Sequence, residues 1–309
     1  MKSILFRFLE KMADFSGRLG INRNTPGAVK LYEFLFGYFW PYKNVIEIQG
    51  SKMCVNAKDP NMQETFERYA SNKIHEKSTT DLFKKTVRKG DTVVDLGANI
   101  GYFTLLAANL VGNTGKVYSF EPEPKNFSYL KKNVEINNYD YVEAFNKAVS
   151  NKNGKTSLFV CSYDTGHHTI NQYNGIESYS RGRHTEKKSI EIDTVTLDSF
   201  LANKTRVDAL KMDVEGAEML ALKGMDRIIK ANPNIKMFIE FFPLLIEKMG
   251  DSPREFIRKI LEDYKFSIFA IPDDYNASNV QLKKLNSIDE VMSFRKKEED
   301  HINLFVKRS

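Results

Sequence analysis

Cysteine is scarce in this chain: 309 residues contain two, Cys54 and Cys161. They lie far apart and in no metal-ligand spacing, which excludes a disulfide scaffold and reads as ordinary thiols in a reducing cytosol. A large excess of one charge is also missing. Lysine and arginine total 46 against 40 acidic residues, a net charge of +6. The basic residues are spread along helices and form no stripe interleaved with aromatics, so no nucleic-acid partner is expected. No apolar run is long enough to cross a bilayer. Ile4, Leu5, Phe8, Leu9, Met12 and Phe15 recur at helical spacing, but Arg7, Glu10 and Lys11 interrupt them, which argues against a signal-peptide core or a span. Internal repeats and low-complexity linkers are absent. A cytoplasmic protein with one large α/β domain and an N-terminal addition is the expectation.

Aromatics are concentrated in residues 31–42, LYEFLFGYFWPY, flanked by Lys30 and Lys43. Packing against the main domain or the second subunit of a homodimer is the expected use of this surface. Peripheral contact with a membrane interface, lysines toward the headgroups, is the alternative.

The richest stretch is Asp91 to Glu121, DTVVDLGANIGYFTLLAANLVGNTGKVYSFE. Thr92 to Leu96 is an apolar run of the buried parallel-strand type, and Tyr102 to Leu110 is apolar at helical spacing. Gly97 to Gly101 must therefore turn between them. Glycines let backbone N–H groups approach a ligand, and a helix start adds partial positive charge. Glu121 ends the next strand, Val117 to Phe120, at the offset where a carboxylate accepts hydrogen bonds from a ribose diol. The spacing Asp95-x-Gly97-x-Asn99-x-Gly101 has Asn99 where a dinucleotide site would carry a second glycine. Asparagine tolerates a left-handed backbone, and the third glycine that pyrophosphate requires is missing. S-adenosyl-L-methionine is favoured over NAD. On this reading, Gly97→Val removes cofactor binding and leaves the fold largely intact.

Along the rest of the chain, Val45 to Val55 reads as a hairpin about Gln49-Gly50, and Met62 to Ile74 and Thr79 to Val87 as helices. A helix over Pro124 to Asn138 and a third strand over Val142 to Val149 follow. Thr156 to Cys161 and Ser189 to Leu197 read as strands joined by a polar loop, 162–188, of a length usually kept for function. Strands over Asp208 to Asp213, Lys236 to Glu240 and Phe266 to Ile271 alternate with helices over Ala217 to Lys230 and Pro253 to Tyr264. Ile302 to Lys307 closes the sheet as an antiparallel last strand. The alternation predicts a mostly parallel sheet covered on both faces.

Four segments carry a resemblance: VVDLGANIGYFTLLAA, SFEPEPKNFSYLKKNVEINN, LKMDVEGAEMLALKGM and MFIEFFP. Together they resemble the FkbM family of class I S-adenosylmethionine-dependent methyltransferases from about Ile74 onward, and the DVEGAE segment from Asp213 sets this family apart from other class I enzymes. The resemblance implies a Rossmann-like fold with a seven-stranded sheet over residues 74–309, preceded by a helical and aromatic extension, with a short hairpin, over residues 1–73. It also implies methylation of oxygens on sugars, glycans or secondary metabolites. Glu121 would hold the ribose hydroxyls, Asn146 would lie near the adenine, Asn126 would support the loop, and Glu76 would lie near the amino-acid tail of the cofactor.

In an open α/β sheet the ligand sits beyond the carboxyl ends of the strands. That rule selects Asp95, Gly97, Asn99 and Gly101 after strand one, Glu121 after strand two and Asn146 near the end of strand three. It also selects Asp213 and Glu240, at the ends of the next two strands. Methyl transfer to oxygen needs a group to take the hydroxyl proton. Asp213 is the first candidate; Lys211, two residues back, faces the same side. Glu240, a charge inside an apolar strand, needs a partner and is expected to pair with Lys211 or a ligand. His168, with His167 in the polar loop, is the rival base. Glu215 and Glu218 read equally as complements to a helix dipole. Carboxylates with a histidine suit a divalent metal ion, but the spacing matches no self-contained metal motif, so the metal assignment stays open. A cofactor-binding scaffold without catalysis and an NAD-dependent dehydrogenase are the alternative functions.

Overall fold

The computed structural model describes residues 45–56, 74–160, 168–170, 188–201, 206–272, 281–294 and 301–308. The helical spacing of residues 4–15, the aromatic segment 31–42, all but Ile74 of the helix expected over 62–74, Cys161, His167 and most of the loop 162–188 lie outside the described residues. The described residues begin with the hairpin β1 (Val45–Ile48) and β2 (Ser51–Cys54), then α1 (Lys77–Thr86), β3 (Thr92–Leu96) and α2 (Tyr102–Val111). Next come β4 (Lys116–Phe120), α3 (Pro124–Glu135), β5 (Val142–Phe145), β6 (Ala148–Val149), β7 (Gly154–Val160) and β8 (Lys188–Val195). The middle holds α4 (Leu197–Phe200), β9 (Ala209–Met212), α5 (Glu218–Lys223), α6 (Asp226–Ala231) and β10 (Lys236–Phe241). The described residues end with α7 (Pro243–Lys248), α8 (Pro253–Arg258), β11 (Ser267–Ala270), β12 (Lys283–Leu285), α9 (Ile288–Ser293) and β13 (Ile302–Lys307).

The main sheet has the order β12-β11-β13-β10-β9-β3-β4-β5. Neighbours from β10 through β5 are parallel, and β13 pairs antiparallel with both β10 and β11. The last strand is antiparallel as expected, but it does not close the sheet. It is inserted between β10 and β11, and the short strand β12 adds an eighth member at the edge beyond the expected seven. The strand expected over Val142 to Val149 breaks at Asn146 and Lys147, and its second half leaves the main sheet. There β6 joins β8 and β7 in a separate three-stranded sheet.

Parallel strands covered on both faces read as apolar runs, and β3 and β9 do so. Successive side chains then go to opposite faces. Val94, Leu96, Leu210 and Met212 face a core with α5, α6, α8 and α9, while Val93, Ala209 and Phe238 face Phe83 of α1, Leu105 of α2 and Met53 of the hairpin. Lys211 is the exception, since all four residues of β9 are buried. The hairpin is tied to α3 and the turn after it: Cys54 N–H donates to Asn133 Oδ1 at 2.6 Å, Lys52 N–H to Asn137 Oδ1 at 2.7 Å, and the Ser51 and Tyr139 hydroxyls lie 2.7 Å apart.

The helix expected over Ala217 to Lys230 is two helices. Asp198, from α4, accepts the N–H groups of Arg227 and Ile228 at 2.9 Å each, which caps a fresh start after Gly224. Among the described residues no helix is long and apolar enough to cross a membrane.

Candidate active site

The turn after β3 is built from left-handed residues: Gly97 at φ 78°, Asn99 at φ 50° and Gly101 at φ 102°. It is held against the end of β4, where Phe120 C=O accepts the N–H groups of Gly97 at 2.9 Å and Ala98 at 3.0 Å. Gly97 also has no room for a side chain, because a β-carbon there would lie 1.7 Å from Asp213 O. Asp95 is buried under the turn and accepts the Thr104 hydroxyl of α2 at 2.6 Å. Burial, partly offset by that hydrogen bond, raises its carboxyl to about 6.

Glu121 lies at the end of β4, 4% exposed. Its two oxygens accept Asn99 N–H at 2.8 Å and Glu123 N–H at 2.9 Å. Burial pushes this carboxyl up to about 8 despite both bonds. A carboxylate has about four acceptor positions, so two remain for ligand hydroxyls. Asn146 Nδ2 donates to the carbonyls of Glu121 and Pro122 at 2.9 Å each. It braces the turn after β4 from the strand break. Asn126 is buried in the first turn of α3, and its N–H donates to the side chain of Glu123, the cap of that helix.

On the face toward α1 and α2, the ends of β9 and β10 bring three carboxylates together. Glu76, in a left-handed conformation at the start of α1, joins Asp213 and Glu240, with one oxygen from each within 4.8 Å of the others. Lys211 Nζ lies 3.6 Å from Glu76 Oε2 and 3.5 Å from Asp213 Oδ2, and 5.0 Å from the centre of the Phe103 ring. The ion pairs of Lys211 within 4.0 Å are thus with Glu76 and Asp213, and Glu240, expected to pair with Lys211 or a ligand, acts on it electrostatically from farther away. Glu240 hydrogen-bonds Asp213 and lies 3.3 Å from His301 Nε2. A second histidine, His75, lies 3.3 Å from Glu76.

The electrostatics divide the roles. Burial would lower the Lys211 ammonium, but Glu76, Asp213 and Glu240 outweigh it and hold it protonated. Burial would raise Asp213, yet Lys211 and the hydrogen bond from Glu240 keep it below the usual carboxylate range. Burial and then repulsion from Asp213 raise Glu240 well above that range. One proton is therefore shared in the pair, carried by Glu240 and donated to an ionised Asp213.

Glu218 is outside this cluster, buried at the start of α5 and bonded to Gly216 N–H at 3.1 Å. His168 lies in the short segment 168–170, whose Thr169 pairs with Phe159 of β7 and donates to Glu215 O at 2.8 Å. That anchors the segment on the turn after Asp213. Sequence reasoning misses His75 and His301: His301 meets Glu240 only after folding, whereas His75 adjoins Glu76 in the chain, and that adjacency is the one available signal.

The residues around the turn fit a nucleoside-bearing cofactor. Asn99 Oδ1 and Glu76 Oε2 are buried without a hydrogen-bond partner in the protein, and buried polar atoms normally have one. Glu121, bonded to Asn99 N–H, retains acceptor capacity.

The methyltransferase FkbM domain matches residues 95–268, more than half of the chain. Methyltransferase 1 of Beauveria bassiana is 31% identical over 145 residues, 43% of this chain and 58% of that protein. Methyltransferase sdnD of Sordaria araneosa is 28% identical over 156 residues, 43% of this chain and 60% of that protein. The chain thus spans about 60% of the length of these relatives. A solved S-adenosylmethionine-dependent methyltransferase from Aquifex aeolicus is 13% identical, covering 80% of this chain and 95% of that one with a TM-score of 0.38. The glycine turn, the carboxylate ending β4 and the DVEGAE turn all fall inside the matched residues, and the chain belongs to the FkbM family of S-adenosylmethionine-dependent methyltransferases.

Proposed function

We propose that the protein transfers a methyl group from S-adenosyl-L-methionine to a hydroxyl oxygen of a sugar, glycan or secondary-metabolite acceptor. When bound, the cofactor supplies an electrophilic methyl group on a sulfonium. Glu121 would accept the ribose hydroxyls, Asn99 Oδ1 and the Glu76 carboxylate, which is also ion-paired with Lys211, would face the polar groups of the amino-acid tail, and Asn146 would hold the turn beside the adenine. The observation that carries the reading is the backbone of Asp213 packed against the turn at Gly97, which puts the turn read as the cofactor cradle beside the residue read as the proton acceptor.

In the reaction the acceptor O–H bond breaks as the O–CH3 bond forms and the sulfur–methyl bond breaks. Asp213 takes the proton. Glu240 and the more exposed His301 lie next along a route to solvent. Lys211 keeps Asp213 ionised before the acceptor arrives.

Calorimetry with S-adenosylhomocysteine tests the cofactor half, and tight binding abolished by Glu121→Ala is expected. A clean absence of binding by the wild type overturns it. For the acceptor half, mass spectrometry after incubation with hydroxylated acceptors should show a methyl group that resists mild base. A base-labile product would be an ester, and would move the reaction to carboxylate acceptors.

A further inference from the structure

We propose that Lys211 is the built-in cation of the Glu76–Asp213–Glu240 cluster and occupies the place a divalent metal ion would otherwise take. This deepens the reading of the site given above and rests on it for the catalytic part alone.

The three carboxylates come from different elements, yet one oxygen of each lies within 4.8 Å of the others. Like charges gathered in a partly buried site need a counter-charge. Lys211 provides it from inside. Its side chain is 2% exposed, and its ammonium has no hydrogen-bond partner. An ammonium carries three donors, and leaving all of them unbonded in the interior is costly. The field of the carboxylates 3.5 and 3.6 Å away is what holds it there.

The ammonium is also fixed in place. Lys211 is paired with Asp95 of β3 on one side and Phe238 of β10 on the other, so its backbone is locked in the middle of the sheet. Phe103 lies against the ammonium at 5.0 Å. A divalent ion bonded to these carboxylates would sit roughly 2.1 Å from each oxygen. It would then lie within a few ångströms of a second positive charge in a low-dielectric site, where repulsion is strong. Ammonium and metal ion exclude each other. Lys211 is a positioning residue, which acts on the acceptor through the ionisation of Asp213.

The test is a manganese titration of the full chain followed by electron paramagnetic resonance, without cofactor or acceptor, so it reads the cation site even if no methyl transfer is ever found. Wild type should show no manganese site that depends on Asp213 or Glu240. Lys211→Met, and Lys211→Gln as a second variant, should gain manganese affinity by about tenfold or more. Activity adds a readout that a merely structural lysine would not move. Chelators should leave wild-type methyl transfer unchanged, and manganese should restore part of the activity lost in Lys211→Met. A wild-type manganese site abolished by Asp213→Asn overturns the proposal whether or not the lysine variants fold. Folded lysine variants with no gain in manganese binding overturn it equally.

Discussion

Gly97 and Asp213 are packed so closely that a β-carbon on the first would lie 1.7 Å from the carbonyl oxygen of the second. The contact is reinforced by Asp213 N–H, which donates to Leu96 O at 3.0 Å. The turns after β3 and β9 are therefore packed and hydrogen-bonded against each other. In the proposed reaction the first holds the cofactor and the second takes the proton, so this contact sets the distance between them.

Gly97→Ala should cost both cofactor affinity and stability. For Gly97→Val the sequence predicts lost binding with the fold largely intact, and the geometry adds an expected cost in stability for any side chain at this position. A left-handed φ of 78° and a backbone collision act together, each a recognised source of about 1–3 kcal/mol. Urea denaturation beside S-adenosylhomocysteine calorimetry checks this. A variant that unfolds at the wild-type midpoint would mean the two turns can separate freely.

Much of this site was legible because its residues sit at strand ends. Short apolar runs marked β3, β4, β9 and β10, and strand ends in a parallel sheet point to ligands. Asp95, Glu121, Asp213 and Glu240 followed from that. Glu76 did not; it lies before a helix, and only the family resemblance pointed to it. His301 reaches Glu240 because β13 inserts beside β10, with Glu240 opposite Asn303. Strand order is not written in periodicity, which is also why residues 142–149 read as one strand although β6 leaves the main sheet to join β8 and β7.

Cofactor affinity should rise with pH as Glu121 ionises. Burial raises this carboxyl to about 8 in the free protein. The ionised form is the better acceptor for two ribose hydroxyls, and hydrogen bonds to charged groups contribute about 1.5–3 kcal/mol. Affinity then climbs as pH rises toward about 8 and levels off above it. Glu121→Gln should flatten that profile and weaken binding less than Glu121→Ala, since one acceptor survives. A wild-type profile as flat as that of the glutamine variant would remove Glu121 from ligand contact.

Asp213 and Glu240 should respond unequally to amide substitution. Asp213→Asn removes the proton acceptor, and loss of a general base typically costs about a hundredfold or more in kcat. Its effect on S-adenosylhomocysteine affinity should be small. Glu240 is protonated and donates to Asp213, so Glu240→Gln keeps the donor and should retain most of the activity, with Glu240→Ala falling further. Steady-state kinetics on the three variants separates the cases. If Glu240→Gln is as damaged as Asp213→Asn, then Glu240 is the proton acceptor and the assignment reverses.

Glu218 should make the fold less stable as pH rises. It is 1% exposed, and its Oε2 has no hydrogen-bond partner. Burial first, then repulsion from Glu215 and Asp213, pushes the carboxyl to about 8 from an ordinary 4.5. Below the ordinary value both folded and unfolded chains hold the proton. Between there and about 8 the unfolded chain releases it while the folded chain keeps it, so stability falls with rising pH across that window and the slope ends above it. The full amplitude is on the order of a few kcal/mol. Glu121 and Asp95 slope the same way, so Glu218→Gln should reduce the dependence without abolishing it. The variant should match wild type near about pH 5 and exceed it by about pH 8, as measured by urea denaturation across that range. Parallel curves for the two proteins would show that Glu218 ionises in the folded chain as easily as in the unfolded one.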